Sequence, residues 1–321
     1  MKPLAVTLLA ISVTIPLAAQ PSPPRYKVLP HSGEKAAPAQ WNAAADQGYR
    51  FLFEGRLAVM RLDTAPPDTY RYQPLPDRNL RATFLNALNE QGAYGYAWLS
   101  QTKMLEKLPH PRTWEYTVVE GFADKTRKAS LHSLEAQGYK PVGLFGSVAI
   151  YMHETSPDPA SSPSLDLRVV ERANRKKFLR EVVEAGRQGY RYAGERTEEH
   201  ASKLVMERCG AACGAPFEYR EVKFKTAAEL EQQLNTLGSQ GFRVVAGSLG
   251  NEPLLVERSA AQTSTYMYRV SSAKDSVAVE QTLTAGDRDG FAPVGFAVHL
   301  GWTADVMLVL EKPTAANFQA Q

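Results

Sequence analysis

The sequence predicts an α+β fold of repeated β-α-β-β units: largely antiparallel sheets, with one helix per unit packed on them. Three observations carry that expectation. A glycine junction, plainest in "QGY", recurs at Gly48, Gly92, Gly138, Gly189, Gly241 and Gly290. Twenty-two residues before each glycine a strand-like segment begins, at Tyr26, Tyr70, Tyr116, Leu167, Tyr219 and Tyr268. After each glycine come two more strand-like segments, and only there does the length vary. A fixed interval implies packed elements, whereas a variable one marks a loop.

Each element has a local reason. The first strands read "YKVL", "YRYQ", "YTVV", "LRVV", "YREV" and "YRVS", rich in aromatic and β-branched residues. Fifteen residues before the glycines lie Gly33, Asp77, Ala123 (with Asp124), Asn174, Thr226 and Asp275. Most have short polar side chains that can accept from the free amides of a first helical turn. Thr226 and Glu229 have capping-box spacing. An apolar stripe follows at i, i+4 and i+7, as in Leu230, Leu234 and Leu237 or Phe178, Val182 and Ala185. The glycine then stops the helix, because a helix end favours a left-handed residue without a β-carbon. The third strands are often continuously apolar, as in Val306 to Leu310. Such a run implies cover on both faces, one by a helix and one by a neighbouring unit. A unit of this size would be marginal alone, so the units are expected to associate in pairs or a closed array.

The boundaries follow. Residues 1–19 read as a signal peptide, with Lys2 before an apolar stretch from Leu4 to Leu17 and the small pair Ala18-Ala19. Residues 20–25 are a Pro-rich start. The first half, 26–154, holds units 26–63, 70–109 and 114–154. A Pro/Ser linker spans 155–164. The second half, 165–312, holds units 165–208, 217–258 and 266–312, and 313–321 is a tail. No later segment is apolar enough to span a membrane. The expectation is an exported chain, periplasmic or secreted.

Several segments carry a likeness. "WEYTVVE" (114–120) and "FEYREVK" (217–223) open a unit, and "LNTLGSQGFRVV" (234–245) closes a helix. They resemble a small bacterial domain family of unknown function that opens with an aromatic "W-E-Y-K-V" strand and ends its helix in "L-G-x-E-G-W-E-L-V". The likeness spans about 40 residues, six times over. It implies the same strand–helix–strand–strand fold and offers no catalytic residue to carry over.

Chemistry is sparse by comparison. Of 321 residues 44% are hydrophobic and 22% charged, and the net charge of +3 does not call for a nucleic-acid partner. Cys209 and Cys213 are half a metal site or a short disulfide; no Cys or His cluster completes the metal set, so a disulfide is expected. The six histidines show no metal-ligand spacing. His200, beside Glu198 and Glu199, is the one candidate for a hydrolase centre. No nucleophile elbow or nucleotide loop is present, and no cofactor is expected. A basic residue follows the junction aromatic at Arg50, Lys140, Arg191 and Arg243. First strands add Lys27, Arg71, Arg168, Arg220 and Arg269 with the same expected orientation. These form either a basic stripe for a polyanion or cross-strand pairs with Glu106, Glu207, Glu257 and Glu311. Trp302, in the longest hairpin, can fold back onto its own sheet or anchor a partner at an exposed tip. The expected function is that of a non-catalytic binding or scaffold protein. The alternatives are a small-ligand binder with a pocket between units and an envelope hydrolase with a site between the halves.

Overall fold

A computed structural model describes residues 23–314, apart from 31–32, 55–56, 64–69, 77–79, 100–101, 109–111, 120–132, 135, 146–147, 156–165, 173, 199–200, 209–215, 250–252, 273–274 and 301–303. The described residues form six three-stranded antiparallel sheets with helices packed on them, an α+β fold of repeated units. Unit one has β1 (Tyr26–Pro30), α1 (Gly33–Ala45), β2 (Tyr49–Glu54) and β3 (Leu57–Leu62). Unit two has β4 (Arg71–Pro74), α2 (Arg81–Ala93), β5 (Tyr96–Trp98) and β6 (Met104–Lys107). Unit three has β7 (Trp114–Val119), β8 (Lys140–Phe145) and β9 (Val148–Glu154), and its helix is described only near its end. Unit four has β10 (Leu167–Glu171), α3 (Arg175–Arg187), β11 (Tyr190–Glu198) and β12 (Ala201–Arg208). Unit five has β13 (Phe217–Val222), α4 (Ala227–Gly238), β14 (Arg243–Val244) and β15 (Leu254–Ser259). Unit six has β16 (Thr265–Ser272), α5 (Ser276–Arg288), β17 (Ala292–Leu300) and β18 (Ala304–Thr314).

Every sheet has the order first–third–second strand, so the most apolar strand lies in the middle. Met307, Leu308, Val309 and Leu310 are all buried on β18. The first and second strands are edges, and an edge with free amides and carbonyls needs cover. The first-strand edge is covered by the helix of the preceding unit. Helix α1 packs on β4, α2 on β7, α3 on β13, α4 on β16, and α5 returns to β1. Between units three and four, β11 lies against β8 and β9. The six units therefore form a closed ring.

The apolar cores straddle the junctions. Phe178, Val182 and Leu204 of unit four share a core with Phe217, Tyr219 and Leu255 of unit five. Leu230, Leu234 and Phe242 of unit five join Tyr268, Met307 and Val309 of unit six. Val279, Leu283 and Phe291 of unit six join Tyr26, Val28 and Val59 of unit one, which closes the ring. Phe53 and Phe296 meet edge to face at 5.3 Å across the same seam. Truncating a fully buried Leu such as Leu234 to Ala costs about 2–5 kcal/mol, and here it would loosen two units at once.

Asn174, Thr226 and Asp275 cap their helices, each side chain accepting from the amide three residues on. Glu229 reaches back to the Lys225 amide, one residue before Thr226. Gly48, Gly138, Gly189, Gly241 and Gly290 have φ between 81° and 87°, the left-handed stop that the junction requires. The second unit differs. Its left-handed residue is Gly95, with φ 90°, and Gly92 lies inside α2. Two glycines within "QGAYG" compete for the stop, and the helix runs on to the later one. Its first strand is shifted likewise: Tyr72, not Tyr70, holds the register place of Tyr26 and Tyr219. Helix α2 also starts at Arg81, after Leu80, rather than beside Asp77.

The chain end is ordered further than expected. Lys312, Pro313 and Thr314 pair with Met267, Tyr266 and Thr265, so the strand outlasts the apolar run. The second strands of units one, three, four and six each carry a bulge, between Phe51/Phe53, Pro141/Gly143, Tyr192/Gly194 and Pro293/Gly295. In unit five a short 3-10 turn, Ala246–Ser248, takes that place. A bulge bends the strand and re-aims its side chains. Residues 1–19, expected to be a signal peptide, and most of the expected linker lie outside the described residues.

Candidate functional site: the junctions between units

The ionisable residues that recur along the chain converge on the junctions. In unit five, Arg243 stands opposite Glu257 in the sheet register. The two do not pair with each other. Arg243 Nε donates to Glu311 Oε1 of unit six at 2.8 Å. Glu257 accepts from Arg191 Nε of unit four at 2.9 Å. Arg50 likewise donates twice to Glu106 of unit two, at 3.2 and 3.1 Å. The pairing is thus carried between units, and not across one sheet as expected. A side chain on an edge strand leans outward, and here it meets the next unit before its own third strand.

A tyrosine completes each tie. Tyr72 donates to Glu106 at 2.9 Å, Tyr219 to Glu257 at 3.0 Å, and Tyr268 to Glu311 at 2.9 Å. Each hydroxyl also accepts from a backbone amide on the second strand of the preceding unit, at Phe51, Tyr192 and Val244. The three glutamates are buried, and the hydrogen bonds satisfy their carboxylates. Burial first, then the facing carboxylate, pushes the hydroxyls of Tyr72, Tyr219 and Tyr268 well above the ordinary tyrosine value. A phenol held so firmly neutral cannot serve as a base near pH 7. These hydroxyls tie each first strand to the second strand of the unit before it.

The junction of units two and three lacks both charges together. Ala97 takes the place of the arginine, and Met152 stands opposite Tyr116 where glutamate stands in units two, five and six. The Tyr116 hydroxyl still accepts from the Trp98 amide at 2.8 Å and donates to the Tyr96 carbonyl. Losing both partners avoids an unpaired buried charge.

The first-strand cations serve a different purpose. Lys27, Arg168 and Arg220 donate to Gln47, Gln188 and Gln240, and Arg269 to Asp289. Each acceptor is the residue just before a stop glycine. Lys27, Arg220 and Arg269 also lie over the rings of Tyr49, Phe242 and Phe291, which follow those glycines. This accounts for the Gln-Gly-aromatic run: the polar residue and the ring hold one cation between them. Arg71 departs from the pattern and pairs with Asp46 of unit one. The two sets of cations therefore point to different partners and do not form one stripe. Lys140 is exposed and makes no ion pair among the described residues.

A third device lies along the helices. Asn42 bonds both the amide and the carbonyl of Tyr72, Asn89 those of Tyr116, and Asn235 those of Tyr268. Helix glycines let the backbones come close enough. A β-carbon on Gly92, Gly186 or Gly238 would collide with the carbonyl of Trp114, Phe217 or Tyr266 on the next first strand. Sequence reasoning took Gly92 for a stop and missed Gly186 and Gly238, although each of these stands three residues before a stop glycine.

Cys209, Cys213, His200, Glu199 and Trp302 lie outside the described residues, and so do the tips of most hairpins. Among the described residues, no group of three His, Cys, Asp or Glu could hold a metal ion. No described helix is long and apolar enough to cross a membrane. A hollow of about 450 Å³ opens beside the stop of α4, lined by Gln240, Arg258, Ser259, Ala260, Gln262 and Thr263. Comparison of the chain with known families, with curated proteins and with solved structures found no match.

Proposed function

We propose that the chain is an exported, non-catalytic scaffold whose ring displays hairpin tips to a protein or envelope partner. The observation that supports this most is the use of the recurring charged residues. Arg50, Arg191 and Arg243, with Glu106, Glu257 and Glu311, are engaged in holding unit to unit. Tyrosines raised well above neutrality complete those ties and leave no poised acid–base pair among them. Variation in length is confined to the hairpins, where a rigid scaffold presents its contacts. Within this reading Trp302 anchors the partner, and a Cys209–Cys213 disulfide fixes the connector between units four and five. Immobilised mature protein is the bait for a pull-down from the native envelope and medium, in parallel with a chain whose 299–305 hairpin is shortened. Loss of one captured protein with an unchanged circular dichroism spectrum supports the reading. Capture indifferent to shortening of every hairpin would count against it.

The hollow beside α4 favours a second reading, a small polar ligand held between units five and six. Native mass spectrometry of the purified protein tests it: a retained mass supports it, and the bare chain mass alone does not.

A further inference from the structure

Helix α3 differs from the other described helices on its outward side. Phe178, Val182, Ala185 and Gly186 face the core. Lys176, Arg180 and Arg187 project from the opposite side, within about 40° of one another on the helical wheel and spread over roughly 16 Å of its length. All three are exposed. At the corresponding outward positions α2 has Ala82, Asn86 and Ala93, α4 has Ala228, Gln232 and Ser239, and α5 has Val277, Gln281 and a single cation, Arg288. Helix α3 carries five cations against two carboxylates, an excess equal to the formal net charge of +3 of the whole chain.

Some of this charge is used internally. Arg175 pairs with Glu221, and Lys177 lies 3.7 Å from Glu181. Arg187 stands 3.9 Å from Glu184, a loose surface pair. Lys176 and Arg180 make no ion pair or hydrogen bond among the described residues. The row therefore adds nothing to the ring's own cohesion, and repulsion between its members costs a little stability. No junction tie explains it.

We propose that the outward row of α3 seats the ring on an anionic lipid surface. The charge selects a polyanion, and the shape selects a flat one. The cations lie in a line on the crest of a helix, so a plane meets all of them at once, whereas a strand-like polyanion would need a groove beside them. The apolar face of α3 is already buried in the ring, so attachment is electrostatic and peripheral, without insertion. It goes beyond the scaffold reading and stands on α3 alone.

The test is co-sedimentation of the mature protein with vesicles of phosphatidylcholine alone or with 40% phosphatidylglycerol. Binding is expected only to the anionic vesicles and is expected to disappear at high salt. Lys176→Glu/Arg180→Glu should lower the partition coefficient at least 20-fold, at roughly fivefold for each cation removed. Arg61→Glu/Arg288→Glu makes the same change in net charge elsewhere and should lower it far less. Equal losses in the two variants, or no binding of the unmodified protein to anionic vesicles, would overturn the proposal. Binding to soluble polyphosphate but not to vesicles would overturn it in favour of a dissolved polyanion. Failure of partner capture by the hairpin tips would leave the vesicle result untouched.

Discussion

The carboxamide of Asn235 bonds both backbone polar groups of Tyr268: Nδ2 donates to the carbonyl at 3.0 Å, and Oδ1 accepts from the amide at 2.8 Å. A side chain on a helix thereby imitates a neighbouring β-strand at the open edge of the next unit's sheet. Glu231 extends the imitation by accepting from the Val270 amide at 2.7 Å. With Asn42 on Tyr72 and Asn89 on Tyr116, it shields the first-strand edges of units two, three and six from pairing with other chains.

Asn235→Ala should leave a buried amide and carbonyl without partners. A loss of about 2–4 kcal/mol is expected, from two groups at the usual penalty. Urea unfolding measures it. Asn235→Asp should recover less than half, because it keeps the acceptor and loses the donor. A loss under 0.5 kcal/mol (an order-of-magnitude bound for an ordinary surface change) would mean that the edge is not held this way.

Gly238→Ala should destabilise by about 1–3 kcal/mol, although Ala is normally the better helix former by about 1 kcal/mol. The sign reverses because the added β-carbon would strike the Tyr266 carbonyl. Gly194→Ala is the control, since nothing lies within 4 Å of its added atom. Thermal melts that rank the two alike would contradict the close approach of α4 to β16.

Arg243→Ala should cost about 3 kcal/mol, because it strands the Glu311 carboxylate beside Tyr268 alone. Adding Glu311→Met should restore most of that loss and reproduce the Ala97–Met152 combination at the second junction. A double-mutant cycle reads the coupling. Additive losses would show that the two side chains act independently.

Alkaline stability follows from the tyrosines. Burial raises Tyr116, and burial with a facing carboxylate raises Tyr72, Tyr219 and Tyr268, all well above the ordinary value; burial, then Glu115, pushes Tyr139 up to about 12. In the unfolded chain they ionise near pH 10 (an approximate reference value). Above that pH the unfolded state has lost protons that the folded state keeps, so stability falls as pH rises. The contribution is complete below about pH 10 and declines through pH 12 and beyond. Spectrophotometric titration should show several of the 14 tyrosines ionising only as the protein unfolds. Simple titration of every tyrosine near pH 10, with the fold intact, would refute the buried ties.

Much of the unit was legible because its signals are local. A capping Asn174, Thr226 or Asp275, an apolar stripe and a glycine stop act within one helix, so their spacing survives in the sequence. The ties were not legible, because register places Arg243 beside Glu257 while the bond runs to Glu311 in the next unit. Tertiary geometry decides between two acids of the same type. Gly92 misled for a related reason: its lack of a β-carbon serves contact with Trp114, a purpose that spacing within one helix cannot distinguish from stopping it. The hint was present in the Gly186–Gly189 and Gly238–Gly241 pairs, each three residues apart like Gly92 and Gly95.

Closure of the ring is the central claim, and a cross-link at the seam tests it most directly. Arg25 and Asp287 belong to units one and six and touch at 2.7 Å. In a Cys209→Ser/Cys213→Ser background, Arg25→Cys with Asp287→Cys should be bridged within one dilute chain by a short bifunctional maleimide, whose spacer replaces the reach of the arginine side chain. The same change with either cysteine alone should not. If the pair stays unbridged, or links only one chain to another, units one and six are apart and the array is open.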